Sequence, residues 1–466
     1  MKKGIVLCTA IVVILAGCRK NEEEQPLADQ SGYETGEEYS ADVAGTVFDA
    51  SVNAFNNSIP GLSLEENIRF TTGNSFNRSA WVIAPSSTEA RDGLGPVYNA
   101  ASCSGCHRLD GRGRPPEPGT TTISMVYRIS LPGEGPHGEP LPVTDFGDQL
   151  NHRSIPGVDN EGDVDISYTE VAGVYPDGTP YSLRKPNYQF RNGALNGVLY
   201  SPRVAPKMTG AGYFDALSAA SILVHADPDD LDHDGISGRP NYVWDYTLNS
   251  AVLGKIGWKA SQPDVKQQIA HAFLNDIGIT SSIFPDENLW GIQQEKYGML
   301  TNGGNPEIRD SIFRQVLFYT DALAMPARRN VKDANVLAGK KSFNQLGCVK
   351  CHVSKFTLGV HPVVPQLSHI TIRPYSDLLL HDMGPDLTDN RPDYLASGRE
   401  WRTSPLWGIG LYETVNGHTL LLHDGRARGV EEAILWHGGE AAGPRNSFML
   451  LSKSDRNNVI AFIKSL

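Results

Sequence analysis

The sequence has few cysteines and lacks long runs of basic or of apolar residues. Only six of its 466 residues are cysteine, and four of these fall in two short motifs, which leaves few thiols for structural disulfides. Its 41 Lys and Arg are outnumbered by 53 Asp and Glu, and no basic run could follow a phosphate backbone, so we expect no nucleic-acid partner. The apolar run at 5–16 is too short for a permanent membrane-spanning helix.

The N-terminus has the pattern of an export signal. Lys2 and Lys3 precede the apolar run, and small residues precede Cys18. This order resembles a bacterial lipobox, in which the cysteine takes lipid and becomes the mature first residue. We therefore expect residues 1–17 to be a lipoprotein signal peptide and Cys18 to anchor the protein to a membrane of the bacterial cell envelope, facing the periplasm or the exterior. Ordinary secretion with an incidental cysteine is the alternative.

The pattern C-x-x-C-H occurs twice, as Cys103, Cys106 and His107 and again as Cys348, Cys351 and His352. In this pattern the two thiols form thioether bonds with the vinyl groups of a haem, and the adjacent imidazole binds the iron. The alternatives are a zinc half-site and a redox dithiol. Zinc needs a second ligand pair at matching spacing, and a thioredoxin-like motif would not repeat with histidine at the same offset. The sequence therefore predicts two covalently bound c-type haems.

Charge and composition divide the mature chain into three segments. Residues 18–41 are polar and acidic, which predicts a flexible tether. Residues 42–329 contain the first motif in a segment with long Gly- and Pro-rich loops. Residues 330–466 contain the second motif between two helical patterns, which indicates a compact cytochrome c-like module. We expect a mainly α fold with long loops and few short strands, built of two cytochrome c-type haem domains.

Apolar periodicity places individual elements within these segments. Alternation predicts a strand over 124–131. Apolar residues every three or four positions predict a helix from Val265 to Gly278 and another from Ile308 towards Pro326. The last helix is predicted to follow Ser454 as its N-cap.

The ligand opposite each motif histidine decides whether an iron relays electrons or binds peroxide. Met383 is our candidate for the C-terminal haem, with His381 as a competitor and ordinary core packing of Met383 as the alternative. We find no compelling ligand for the N-terminal haem, which predicts an open site for peroxide. A peroxide site also needs an acid or base, but Glu170 is only a weak candidate, so the catalytic residues are unassigned. The histidines considered and set aside are His137 and His152, expected to be exposed, and His225, expected to be buried.

An acidic loop has the spacing of a calcium-binding loop. Asp230, Asp232 and Asp234 follow the order D-x-D-x-D-G. The twelfth loop position is Asn241 instead of a bidentate glutamate, so a standard EF-hand is not expected. Because clustered carboxylates repel each other unless a cation neutralises them, we predict a structural calcium ion here. A solvated acidic turn is the alternative.

Seven segments beyond the haem motifs carry a family resemblance: 93–99, 110–116, 203–206, 234–239, 379–384, 401–410 and 422–428. They resemble the bacterial di-haem oxidoreductase family, whose members are labelled peroxidases or thiol oxidoreductases, and the resemblance extends from about residue 41 to the C-terminus. The thiol label reflects the haem cysteines, so we discount it. The C-terminal part is more distantly similar to di-haem cytochrome c peroxidases and to the related enzymes that mature methylamine dehydrogenase.

This resemblance implies that one haem reacts with peroxide while the other relays electrons. It also implies that calcium lies near the haem pair and that His423 and Arg426 lie beside the second haem. At the position where the peroxidases have an axial Met or Tyr, this chain has Glu400.

The resulting hypothesis is an exported di-haem c-type oxidoreductase that is peroxidase-like. Electrons from a redox partner protein would pass between the two haems to reduce peroxide or to oxidise a substrate. The alternatives are a non-catalytic electron-transfer cytochrome, in which both irons are six-coordinate, and an enzyme that matures a cofactor on a partner protein.

Overall fold

The computed structural model describes residue 1 and residues 32–191 and 196–466. The predicted signal peptide, the predicted lipid anchor at Cys18 and most of the predicted tether lie outside these residues. Within the described ranges, no helix has both the length and the apolar character that crossing a membrane requires.

Most helices in the described residues are short. In chain order they are α1 Asp42–Gly45, α2 Leu64–Arg78, α3 Cys103–Cys106, α4 Ala219–Leu223, α5 Val265–Ala272, α6 Ile292–Tyr297, α7 Asp310–Asp321, α8 Ala334–Gln345, α9 Tyr412–Asn416, α10 Val430–Leu435, α11 Ala442–Leu450 and α12 Lys453–Ser465. A π-helix at Phe273–Ile277 continues α5, and a 3-10 helix at Cys348–Lys350 follows α8.

The strands form small sheets. They are β1 Thr46–Val47, β2 Val97–Tyr98, β3 Met125–Glu134, β4 Pro140–Leu141, β5 Gln149–Leu150, β6 Arg153–Ser154, β7 Val164–Val174, β8 Pro180–Phe190, β9 Leu199–Val204, β10 Tyr242–Asp245, β11 Ser250–Leu253, β12 Met325–Pro326, β13 Phe356–Thr357, β14 Thr371–Ile372, β15 Leu380–Asp382 and β16 Glu400–Arg402. Strand β3 pairs with β4, β5 and β9, and the other strands pair in twos. The predicted alternation is confirmed, because Met125, Tyr127 and Ile129 on β3 are all fully buried.

The fold class expected from the sequence is wrong. The structure is 29% helical and 19% strand, and it does not show a cytochrome c haem-domain fold. Much of the unexpected strand is the antiparallel hairpin of β7 and β8, eleven residues each, in the stretch expected to be mainly loops. Beyond Ile166 the β7 side chains are mostly exposed, so the sequence there lacks the apolar alternation that identifies a half-buried strand.

The predicted helix before Gly278 is confirmed, with one local change. Asp264 caps α5 by accepting a hydrogen bond of 2.7 Å from the backbone N–H of Gln267. The last turn widens into the π-helix, and Gly278 ends it in the left-handed conformation at φ 76°. Such π-turns inside helices occur frequently at functional sites.

Helices α8 and α12 pack closely against each other, as expected for the two helices that flank the second motif. A Cβ on Gly339 would meet the backbone oxygen of Asn458 at 1.9 Å, so only glycine allows this approach. The Phe343 and Phe462 rings lie 5.1 Å apart across the contact. The N-cap of α12 is Ser452 and not the predicted Ser454.

Residues before and after position 330 share one hydrophobic core. Trp407 stacks on Phe214 with ring centroids 5.6 Å apart, and Phe318 and Leu379 belong to the same cluster. Near the N-terminal end of the described residues, the buried Glu37 carboxylate lies 2.9 Å from the Arg328 guanidinium.

Candidate functional site

Each C-x-x-C-H motif lies against its own cavity. The N-terminal cavity has a volume of about 220 Å³ and the C-terminal cavity one of about 200 Å³. The two cysteines and the histidine of each motif line the same cavity. Cys103, Cys106 and His107 line the N-terminal cavity, and Cys348, Cys351 and His352 line the C-terminal cavity. In both motifs, the structure thus brings the predicted haem attachment residues together at the wall of a cavity.

Both motif histidines are oriented by a backbone carbonyl. His107 Nδ1 lies 2.7 Å from the oxygen of Pro206, and His352 Nδ1 lies 2.9 Å from the oxygen of Tyr375. Because a carbonyl oxygen only accepts, Nδ1 carries the hydrogen in each ring, which leaves Nε2 free to bind a metal. Burial lowers the pKa of His352 to about 4 and that of His107 below its usual value, so both rings are neutral, the form that ligates iron.

The four motif cysteines are not arranged as reactive dithiols. None of them forms a disulfide, and burial raises the pKa of the Cys103 and Cys348 thiols to about 12. A dithiol redox centre needs an accessible thiolate, which these surroundings disfavour. Half-buried thiols beside a cavity with a neutral imidazole fit thioether attachment of a haem.

The C-terminal cavity is mainly apolar. Phe343, Trp401 and Leu406 contribute to its wall, and the predicted ligand Met383 lies in the same wall, half-buried. Met383 and His352 therefore share one cavity, and axial ligation by Met383 stays a prediction.

His381 also lines the C-terminal cavity, but both of its ring nitrogens are engaged. Nε2 lies 2.8 Å from Asp377 Oδ2, and Nδ1 lies 2.6 Å from Glu440 Oε2. Burial alone lowers the pKa of His381, but hydrogen bonds to Asp377, Cys351 and Glu440 raise it well above its usual value. Each ring nitrogen of His381 is thus held by a carboxylate, and axial ligation by His381 stays a prediction.

The other residues placed beside the second haem by resemblance differ in position. His423 lines the cavity and stacks on Trp401 at 3.7 Å, and burial lowers its pKa to about 3. Arg426 forms an ion pair of 2.8 Å with Asp424 and does not line the cavity. Glu400 is bound 2.6 Å from Arg239, also outside the cavity lining.

The N-terminal cavity has a more polar wall. His271, Gln149 and Asp276 line it, and Gln149 donates a 2.7 Å hydrogen bond to Asp276 Oδ1. Burial raises the pKa of Asp276 above its usual value. His271 Nε2 lies 3.5 Å from Asp148 Oδ2. Because 25% of the Asp148 side chain is exposed, this contact connects the cavity wall to solvent.

Sequence reasoning missed these polar residues. His271 and Asp276 lie among other polar residues of the helical repeat, such as Gln268 and Asn275, so nothing in the sequence singled them out, and the helix widens into its π-turn between them. The residues that were considered instead lie outside both cavities: His137 is exposed as expected, whereas His152 is buried, His225 is exposed, and Glu170 is exposed and paired with Arg428.

Trp258 lines both cavities. Its indole Nε1 donates a 2.9 Å hydrogen bond to the backbone oxygen of Val204, which fixes the ring in the wall between them. The Arg112 guanidinium carbon lies 5.1 Å from the ring centroid. The two candidate haem sites are therefore neighbours with an aromatic side chain in common.

The acidic loop brings together two of the three predicted calcium ligands. One carboxylate oxygen each from Asp227, Asp230 and Asp232 lies within 4.8 Å of the others. Asp234 instead forms an ion pair with Lys350, which lies inside the second haem motif. Asp227 was missed because it precedes the D-x-D-x-D-G spacing.

Two cavities, each with paired cysteines and an oriented neutral histidine, define a protein built to hold two haems. Comparison with protein-family models agrees: residues 36–466 match the family described as "Di-haem oxidoreductase, putative peroxidase", and the chain belongs to this family. The family expected from the sequence is thereby confirmed. No curated protein and no solved structure gives a significant match.

Proposed function

We propose that this di-haem oxidoreductase is an exported, lipid-anchored c-type protein of peroxidase type. The N-terminal cavity is the site where peroxide reacts, and the C-terminal cavity receives electrons from a redox partner protein. The observation that carries the proposal is the contrast between the two cavities: in one the motif shares the cavity with His271 and the carboxyl group of Asp276, whereas the described residues that line the other include Met383 and no carboxyl group.

The motif residues fit covalently attached haem. Cys103 and Cys106 would form the thioethers in the N-terminal cavity, Cys348 and Cys351 those in the C-terminal cavity, and the histidines would offer Nε2 to iron. Bound haem supplies the reversible one-electron chemistry that the side chains themselves lack.

The protein's own contribution at the N-terminal cavity is proton transfer. Reduction of hydrogen peroxide to water consumes two electrons and two protons, so the cavity needs a route for protons. His271 lines the cavity, with 19% of its side chain exposed, and faces the partly exposed Asp148. We assign to His271 the exchange of protons with solvent, and to Asp276, whose raised pKa favours a bound proton, the delivery of a proton inside the cavity.

Trp258 is the proposed electron path. It lies in the walls of both cavities, so its ring would connect the two haem sites through packed protein atoms. In this proposal, protons are transferred in the N-terminal cavity and electrons enter at the C-terminal cavity.

One observation favours the alternative of a non-catalytic electron carrier. Met208 also lines the N-terminal cavity, and a thioether bound to that iron would close the peroxide site.

Spectra of the full chain, produced in a host that attaches c-type haem, separate the two functions. We expect a mass increase of two haems, one high-spin haem in the oxidised protein and turnover of peroxide with a reduced cytochrome or dye. Two low-spin haems without turnover would establish the electron carrier, and an unmodified colourless chain would overturn both functions.

The anchor and the calcium site are separate parts of the proposal. Lipid at Cys18 predicts that Cys18→Ala moves the protein from the membrane to the soluble fraction, with no change in haem content. Calcium bound by Asp227, Asp230 and Asp232 predicts one tightly held ion per chain by equilibrium dialysis, and Asp232→Asn should abolish it.

A further inference from the structure

Three basic side chains near the wall between the cavities, Arg112 buried and Lys207 and Arg402 half-buried, have no carboxylate partner. Lys207 lines the N-terminal cavity, and Arg112 and Arg402 line the C-terminal cavity. Other buried cations are paired; Arg203, for example, lies 2.9 Å from Asp393. Within the described residues, none of the three forms an ion pair.

Their polar hydrogens are only partly used. Arg402 Nε donates to the oxygen of Gly257 at 2.7 Å, but its Nη1 is buried without a hydrogen-bond partner. Arg112 donates to the carbonyl oxygens of Leu420 and Leu422. Lys207 Nζ has no hydrogen bond to any residue in the described part of the chain and lies 5.6 Å from the centroid of the Trp407 ring.

The carboxylates that act on these cations are already neutralised by others. Asp424, which acts on Arg112, lies 2.8 Å from Arg426. Asp377, which acts on Arg402, lies 2.8 Å from His381. The cluster is therefore short of negative charge.

The three cations are also close enough to act on one another. Burial lowers the pKa of Lys207 to about 7, and the positive charges of Arg402 and Arg112 contribute to that decrease. A buried charge is costly unless it is paired, and like charges add to the cost. An anion supplied from outside the chain would resolve this conflict.

We propose that Arg112, Lys207 and Arg402 hold the propionate carboxylates of the two haems, Lys207 on the N-terminal haem and the two arginines on the C-terminal haem. The inference rests on the proposed function in one respect, that haem occupies both cavities. Each haem brings two carboxylates, and the planar guanidinium fork binds a carboxylate through two parallel hydrogen bonds. Propionates held by these three side chains would lie near the wall that Trp258 shares between the cavities.

This arrangement has a measurable consequence for redox potential. A cation paired with a propionate cancels a negative charge that would otherwise stabilise the oxidised iron. Removing the cation should therefore favour the ferric state and lower the midpoint potential. For a charge at the distance of a propionate group, we expect the equilibrium constant for reduction to fall about tenfold, which corresponds to about 59 mV for a one-electron couple.

The test is a spectroelectrochemical titration of the full-chain holoprotein, with haem content measured in parallel. We expect Lys207→Met to lower the potential of the N-terminal haem and Arg402→Met that of the C-terminal haem, each with two haems per chain retained. Lys207→Arg should keep the wild-type potential. The matched control is Lys185→Met, which removes an exposed lysine on β8.

The outcomes separate this inference from the proposed function. Two haems with unshifted potentials in both Met variants would overturn the propionate assignment alone, whereas a wild-type protein without haem would overturn the proposed function. If Lys207→Met does not accumulate, the infrared redox difference spectrum of the wild type decides, because ion-paired propionates are ionised. Bands of protonated propionates would contradict the assignment.

Discussion

The two cavities have the same motif and different surroundings. In each, half-buried cysteines precede a histidine whose Nδ1 donates to a backbone carbonyl. The N-terminal cavity then adds His271 and Asp276, and the C-terminal cavity adds Met383 among apolar side chains. Because a haem's reactivity depends on what faces it, the same motif with different walls would allow one site to react and the other to relay.

The buried carboxylates near the two cavities also differ. On the N-terminal side they have few cationic partners, so burial dominates and raises the pKa of Asp110 to about 6 and that of Glu161 to about 8. Beside the C-terminal cavity burial also acts to raise the pKa of Glu440, but the hydrogen bond and charge of His381 lower it to about 2. Asp110 and Glu161 therefore favour a bound proton, whereas Glu440 is held ionised by His381; Asp148 on the N-terminal side is also held ionised, by Arg128.

Removing one attachment pair is the change with the largest expected effect. Cys103→Ala with Cys106→Ala should remove the N-terminal haem entirely, because the thioethers fix it, and leave the C-terminal haem in place. Intact-protein mass and haem absorbance should show one haem per chain. Cys348→Ala with Cys351→Ala is the matched counterpart. Two haems in either double variant would show that the cavities are not separate attachment sites.

Replacing one histidine outside the motif in each cavity should affect the reaction with peroxide at the N-terminal site alone. His271→Gln should lower the rate of peroxide reduction by about 10² to 10⁴, because general acid and base catalysis typically contributes that much. His423→Gln is the matched control, since His423 is the corresponding buried imidazole in the C-terminal cavity. Stopped-flow reaction with peroxide measures both variants. Equal losses would show that the polar wall is not what makes the N-terminal cavity reactive.

The parts of this arrangement that could be predicted from the sequence are local. In C-x-x-C-H the whole attachment site lies within five residues, so Cys348, Cys351 and His352 needed no knowledge of the fold. Helix α12 was equally accessible, because its apolar residues repeat along one face. Its N-cap was missed by two residues because Ser452 and Ser454 both suit that position.

The missed parts depend on contacts between distant segments. Trp258 lies between cavities whose cysteines are far from it in the chain, and no local pattern marks that position. The β7–β8 hairpin is tied to the C-terminal segment by polar contacts, such as the 3.0 Å hydrogen bond from Tyr188 to Asp424, and by the packing of Leu183 against the apolar cluster of that segment. Such contacts stabilise a strand without apolar alternation, which is why the fold class was wrong.

Replacing the methionine in each cavity should show which iron has a methionine ligand. Met383→Leu is expected to convert the C-terminal haem from low-spin to high-spin and to lower its potential, because a thioether ligand raises the potential. The swap nearly conserves volume, so the free energy of unfolding should change by less than about 1.5 kcal/mol. Electron spin resonance and redox titration measure the effect. Met208→Leu in the N-terminal cavity should change neither spectrum, and the reverse pattern would exchange the proposed roles of the two cavities.

The smallest expected effect concerns stability and pH. Burial raises the pKa of Glu161 from 4.5 to about 8, so folding favours its protonated form. That contribution is complete below pH 4.5 and is lost as the pH rises towards 8, because the unfolded chain has then released a proton that the folded chain still holds. Glu161→Gln has no proton to lose, and its amide can keep the 2.9 Å hydrogen bond with Gln293 by reorienting. We expect the variant to gain about 1 kcal/mol over the wild type between pH 5 and pH 8 in thermal unfolding of the holoprotein.

Glu440→Gln, beside the C-terminal cavity, should instead lose stability at neutral pH, because it removes a carboxylate whose lowered pKa stabilises the fold above pH 4.5. Parallel pH profiles for the two variants would show that the carboxylates near the two cavities do not differ in the way the structure indicates.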